Sequence, residues 1–153
     1  MYMRGALVAF LATLFAGAVA IAYAQEMKPD RAIKYRQGAL TTLSWQFGML
    51  GAMAKGDRPY NKDEAIRRAS YVADLSRMPW EGFGPGTEQG APTKAKPEIW
   101  KDQAKFKEHQ DKLIAESAKL ETVAKSGDEA AFKAQVGATG KTCGNCHDDF
   151  RAK

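Results

Sequence analysis

Apolar residues recur along most of the chain at helical spacing. Ile33, Leu40, Leu43, Phe47, Leu50 and Ala54 follow one another at steps of seven, three and four. That period places them on one face of a helix, predicted from about Pro29 to Ala54. Gly56-Asp57-Arg58-Pro59 then supplies the glycine and proline expected beyond a helix end. A second helix opens at Asn61, with Glu64 completing a pair that resembles a capping box. Ile66, Ala69, Val72, Ala73 and Ser76 form its narrow apolar face, and Pro79 closes it. The third begins with Pro97 in its first turn, where a missing N–H costs nothing. Ile99, Phe106, Leu113 and Leu120 then fall at strict seven-residue intervals, the mark of a bundle seam. Gly127 interrupts the pattern, and Ser126 with Glu129 makes a second capping pair. The fourth helix carries Phe132, Val136, Thr139, Cys143, Cys146 and Phe150 on one stripe.

No segment reads convincingly as a strand. Residues 79–96 hold Pro79, Pro85, Pro92, Gly82, Gly84, Gly86 and Gly90, a density incompatible with continuous helix. Short connections thus join helices one to two and three to four, and a longer crossing joins two to three. The economical arrangement is an all-α, antiparallel four-helix bundle. A structureless connection of this length is often functional.

Residues 1–24 stand apart. Arg4 precedes a run of apolar and small residues from Gly5 to Ala22, and Ala22-Tyr23-Ala24 offers a cleavage site before Gln25. The run approaches the length of a membrane anchor. Its Ala and Gly content and the placement of the cleavage site instead predict a cleaved secretory signal peptide over 1–24, with a bundle domain over 25–153 and a periplasmic location. Loss of Arg4 lowers the net charge from +5 to +4. Basic and acidic residues are interleaved, which gives no footprint for nucleic acid. No membrane association is expected after cleavage.

The chain has two cysteines, and an exported protein would ordinarily pair them. Here they lie three apart, in Cys143-Gly144-Asn145-Cys146-His147, the c-type haem attachment signature. At about 100° per residue, Cys146 and His147 lie on either side of Cys143 on one helix face. Two sulfurs can therefore take the vinyl groups while the imidazole meets the iron. Gly140, one turn earlier, leaves room for a porphyrin to approach the helix. A dithiol redox pair would want a βαβ context, and a zinc site would need further ligands where His109 is the only other histidine. Six residues follow His147, and no Met or His is among them. Any sixth ligand is therefore expected upstream, from Met27, Met49, Met53, Met78 or His109.

With those residues in view, the sequence resembles cytochrome c-prime, the high-spin branch of the class II c-type cytochromes. That family is itself a standard example of the four-helix bundle. The resemblance rests on Lys34-Tyr35-Arg36-Gln37, Pro79-Trp80, Phe83-Gly84-Pro85-Gly86-Thr87-Glu88, Pro97-Glu98-Ile99-Trp100 and Cys143 to Arg151. It implies one covalently bound haem c with His147 as the iron ligand. It places Leu40 over the distal face, where low-spin relatives carry a methionine on the first helix. It gives Arg36 and Gln37 to a haem propionate or the haem edge, and Thr87 and Glu88 to the same region. Arg151 resembles the family's proximal arginine beside the imidazole, and it can also serve as a partner of the helix dipole. Phe150 stands where many relatives carry tyrosine. Met49 and Met53 lie about 13 and 20 Å along the helix from Leu40, too far to replace it, and core packing or surface is expected for them. His109 is expected to face solvent.

Leu40 has no lone pair to donate, so a five-coordinate iron follows. Water and anions would lose hydration on entering such a site. Bound dioxygen wants a hydrogen-bond donor that Leu40 cannot give, whereas nitric oxide and carbon monoxide need none. The resemblance implies nitric oxide binding, with roles in protection from nitrosative stress or in electron transfer, and a homodimer formed by the first two helices. The leading expectation is a gas-binding haem protein, a scavenger or carrier of nitric oxide, and not an enzyme. Its rival is an electron-transfer cytochrome that docks redox partner proteins.

Overall fold

The helical periodicity is realised in a computed structural model that describes residues 28–153. The predicted signal peptide and Met27 lie outside the described residues. The helices are α1 (Pro29–Lys55), α2 (Lys62–Leu75), α3 (Glu98–Lys101), α4 (Gln103–Ser126) and α5 (Glu129–Phe150). A 3-10 turn occupies Pro79–Phe83 within the crossing segment. Among the described residues the only β pairing is an isolated antiparallel bridge between Ala95 and Arg151.

The long helices α1, α2, α4 and α5 form the bundle, and their direction follows from what packs together. Leu50 and Met53 near the end of α1 share a buried cluster with Ala65, Ala69 and Val72 of α2. Leu120 and Ala124 near the end of α4 and Phe132 and Val136 near the start of α5 complete it. The last turns of α1 therefore meet the first turns of α5, and the two run antiparallel. A second cluster forms at the opposite end from Ile99, Phe106 and Phe150. Trp80, Phe83, Ala95, Trp100 and Cys146 pack against it. One end of the bundle is mainly aliphatic and the other aromatic.

Capping follows local chemistry. Asn61 Oδ1 accepts from the Glu64 amide at 2.8 Å, as its sequence position predicts. The second predicted pair is displaced by two residues: Asp128, not Ser126, caps α5, its Oδ1 accepting from the Ala131 amide at 3.0 Å. The reason is Gly127, which ends α4 at φ 77°, so Ser126 still belongs to the last turn of that helix. The predicted third helix is also broken. Asp102 leaves helical geometry at φ −120°, ψ 66°, and its side chain caps α4 through the Lys105 amide at 3.1 Å. The seam survives the break, since Ile99, Phe106, Leu113 and Leu120 are all buried.

On α1, Ile33, Leu43 and Leu50 are buried as the stripe predicts, while Leu40, Phe47 and Ala54 are half-buried. Ala32, Met53 and the charged Arg36 take the remaining core positions. No helix among the described residues is long and apolar enough to cross a membrane.

Truncating Phe132, which is fully buried in the aliphatic cluster, is expected to destabilise the protein by about 3–5 kcal/mol. Asp128→Ala should remove about 1 kcal/mol. Urea unfolding followed by far-UV circular dichroism measures both, and equal losses would contradict the packing described.

Candidate functional site

The last two turns of α5 carry the chemistry. Cys143 and Cys146 are free thiols, both half-buried. Cys143 Sγ donates to the Thr139 carbonyl at 3.7 Å. Burial pushes the Cys143 thiol up, and it pushes Cys146 up to about 11, with Cys143 and Asp149 adding to the effect. Thiols held protonated in this way are poor nucleophiles at neutral pH, the opposite of a dithiol redox pair. His147 is held below the ordinary histidine range by shielding of its ring from water and by the Arg151 guanidinium, against the opposing pull of Asp148. The neutral imidazole so favoured is the form that ligates a metal.

Beside Cys146 stands an aromatic wall. Phe106 packs edge-on against Trp80, Phe83 and Phe150, with centroids 5.8, 5.1 and 5.2 Å apart. Trp80 Nε1 donates to the Ser76 carbonyl at 2.7 Å and Trp100 Nε1 to the Gly84 carbonyl at 3.0 Å, so both indoles are fixed in orientation. Next to the wall lies a cleft of about 530 Å³ lined by residues including Trp80, Phe83, Phe106, Gln103 and Lys107.

The register between α1 and α5 places Leu40. A Cβ built on Gly140 would sit 3.5 Å from Phe47 Cζ, so Gly140 faces the Phe47 ring. The clearance expected there for a porphyrin is thus bordered by that ring. Leu40 lies two turns back along α1 and His147 two turns forward along α5, each about 10 Å from the crossing point. Because the helices are antiparallel, Leu40, which is half-buried, and His147, which is exposed, come to the same level of the bundle.

Among the described residues, the upstream sulfurs and imidazole are engaged elsewhere or exposed. Met53 is buried in the aliphatic cluster. Met49 Sδ accepts from Arg58 Nη1 at 3.6 Å. Met78 is exposed. His109 does not face solvent as expected: its side chain is only 11% exposed, and Nε2 lies 3.0 Å from Asp149 Oδ2. Its ring meets the edge of Phe150, because its face of α4 packs on the last turn of α5.

Arg36 is committed to the crossing segment. Fully buried, it donates from Nη1 to the Gly82 carbonyl at 2.8 Å, the Thr87 carbonyl at 3.0 Å and Thr87 Oγ1 at 3.2 Å. Nη2 donates to Thr93 Oγ1 at 3.3 Å, and the guanidinium lies over the Phe83 and Trp100 rings. Burial lowers its pKa, and nearby Glu88 opposes that shift. Gln37 Nε2 donates to the Pro92 carbonyl at 2.9 Å. Thr87 Oγ1 donates in turn to the Gly84 carbonyl at 2.7 Å. The segment can lie this close to α1 because residue 82 is glycine: a Cβ there would sit 2.9 Å from both the Ala32 carbonyl oxygen and Arg36 Cβ. Arg151 is exposed at the end of α5, its amide donating to the His147 carbonyl at 3.0 Å.

These residues fit a covalently attached haem. Two free thiols and an imidazole share one helix face, an aromatic wall adjoins one sulfur, and an apolar side chain stands level with the imidazole on the facing helix. The wall itself was not foreseen as a unit. Its members are scattered from Trp80 to Phe150: Trp80, Phe83 and Trp100 stood out around the crossing, whereas Phe106 and Phe150 stood out only as members of separate helix stripes.

Fold and site define a c-type haem protein built on a helical bundle. A family model described as Cytochrome C' matches residues 31–151. Cytochrome c' of Rubrivivax gelatinosus is 45% identical over 129 residues, spanning 84% of this chain and all of that protein. Its crystal structure superposes with a TM-score of 0.81. Cytochrome c' of Halomonas halodenitrificans is also 45% identical, over 82% of this chain and 99% of that protein. A nitric oxide complex of a leucine variant of the Alcaligenes xylosoxidans protein matches at TM-score 0.78 and 39% identity, over 84% of this chain and 99% of that one. The chain belongs to the cytochrome c' family, and with it carries one covalently attached haem c.

Arg36→Met is expected to strand the carbonyls of Gly82 and Thr87, at about 1–3 kcal/mol for each buried group left unpaired. The loss should be read in denaturant unfolding, together with faster proteolytic cleavage between Gly84 and Thr93. Wild-type resistance to both would show that the segment does not depend on this residue.

Proposed function

We propose that this chain is an exported, periplasmic haem protein that binds nitric oxide and carbon monoxide and serves as a scavenger or carrier of nitric oxide. The observation that carries the reading is Leu40 at the level of His147 on the facing helix. When bound, the haem supplies an iron with one open coordination position for a small neutral ligand. The protein's part is to attach the group through Cys143 and Cys146, to ligate it through His147, and to control what approaches. Leu40 offers no donor and no lone pair, so it excludes water and anions, which would lose hydration without replacement. A neutral gas suffers no such loss and needs only that the isobutyl group swing aside.

Arg36 and Gln37, with Thr87 and Glu88, border the haem edge in this reading, and Arg151 flanks the imidazole. The apolar run over residues 1–24 supports export. Nitric oxide complexes of leucine variants of the Alcaligenes xylosoxidans relative support the choice of ligand. Trp45 on α1 and Tyr71 on α2, 67% and 46% exposed, support a homodimer through these two helices.

The test is optical and EPR spectroscopy of the holoprotein, oxidised and reduced, followed by titration with nitric oxide and carbon monoxide. High-spin five-coordinate iron that binds both gases is expected. Leu40→Ala should speed carbon monoxide binding about tenfold or more, since each ~1.4 kcal/mol removed from a barrier is a factor of ten. A low-spin six-coordinate spectrum, indifferent to both gases, would make the protein an electron-transfer cytochrome instead.

A further inference from the structure

A helix leaves its last four carbonyls without intrahelical partners. In α5 these belong to His147, Asp148, Asp149 and Phe150, and all are covered. The Arg151 amide donates to the His147 carbonyl at 3.0 Å. The other three go to a single residue at the end of the crossing segment. Lys96 Nζ donates to the Asp148 carbonyl at 2.9 Å and the Asp149 carbonyl at 3.2 Å. The Lys96 amide donates to the Phe150 carbonyl at 2.9 Å. A positive charge here also complements the negative end of the helix dipole.

The lysine is itself held firmly. Ala95 bridges to Arg151, and the Ala152 amide donates to the Lys94 carbonyl at 2.8 Å. Pro97 restricts the residue before it to extended geometry. Thr93 Oγ1 accepts from both the Ala95 amide at 3.1 Å and Arg36 Nη2 at 3.3 Å, which ties this strap to α1. The turn that carries His147 is therefore braced from outside its own helix, by a side chain one and two residues along from it.

We propose that Lys96 is a positioning residue for His147: by closing the carbonyl end of α5 it keeps the last turn wound and the imidazole on the metal. The inference rests on the reading of His147 as axial ligand. The imidazole leaves by turning about its own side-chain bonds, most readily when the turn that bears it loosens, and fraying of that turn breaks the bonds to Lys96. Lys96 then sets how readily a gas bound opposite displaces His147. Leu40, on the other helix, sets how readily the gas arrives. The two properties are separable.

Holoprotein carrying Lys96→Met is compared with the unsubstituted protein and with Lys96→Arg, which keeps the charge and the donors. Resonance Raman spectroscopy of the ferrous protein reads the iron–histidine vibration, and stopped flow reads the loss of His147 after nitric oxide is added. Lys96→Met should lower the vibration frequency and speed His147 loss about tenfold, the order of one charge-assisted hydrogen bond. Its carbon monoxide binding rate should not change, and Lys96→Arg should restore wild-type behaviour. If Lys96→Met does not fold, Lys96→Gln, which keeps one neutral donor group, should give a smaller change in the same direction. Unchanged vibration and His147 loss in the folded variants overturn the proposal. Absence of the iron–histidine band from the unsubstituted protein overturns the axial-ligand reading itself, and this proposal with it.

Discussion

A guanidinium removed from water must find acceptors, and Arg36 finds them in a segment far away in sequence. Its partners at Gly82, Thr87 and Thr93 span the crossing between α2 and α3. A stretch rich in glycine and proline has little helix or sheet pairing with which to hold a shape. Here one buried cation gathers its carbonyls and hydroxyls and fixes the loop against α1. The aromatic wall depends on the same contact, since the guanidinium lies over Phe83 and Trp100. So does the strap that reaches α5, through the shared Thr93 hydroxyl.

Much of this was legible in the sequence, because helical periodicity and an attachment motif are both local signals. The heptads from Ile99 to Leu120 predicted a seam that persists through a break at Asp102. The break was invisible to them, because a heptad reports which face is buried and not whether the backbone is continuous. The cap at Asn61 was legible, while that at Asp128 was not. Ser126-Gly127-Asp128 offers two capping residues, and only the left-handed geometry at Gly127 decides between them. Leu40 could be singled out by resemblance, yet its level relative to His147 depends on how Phe47 meets Gly140, a tertiary contact.

The charged residues were harder still. Periodicity treats Arg36 as polar and His109 as surface, whereas one is buried and the other mostly shielded. Both exceptions arise from long-range partners: loop carbonyls more than 40 residues distant for Arg36 and the Asp149 carboxylate for His109. A pattern read from one segment cannot register an acceptor supplied by another. The same holds for Lys96, whose neighbours in sequence give no hint that it closes a helix ending at Phe150.

The division of the interior into an aliphatic end and an aromatic end has a consequence for how such a chain can change over time. Substitutions around Leu50, Leu120 and Phe132 lie well away from Cys146 and the wall, and effects at separated positions add nearly independently. The far end can then gain or lose stability by drift without retuning the chemistry. The near end is in turn free to keep a buried cation and an attachment motif that a uniformly optimised interior would discard. Divergent descendants of one ancestor can in this way keep a common site on bundles whose foundations have been rebuilt.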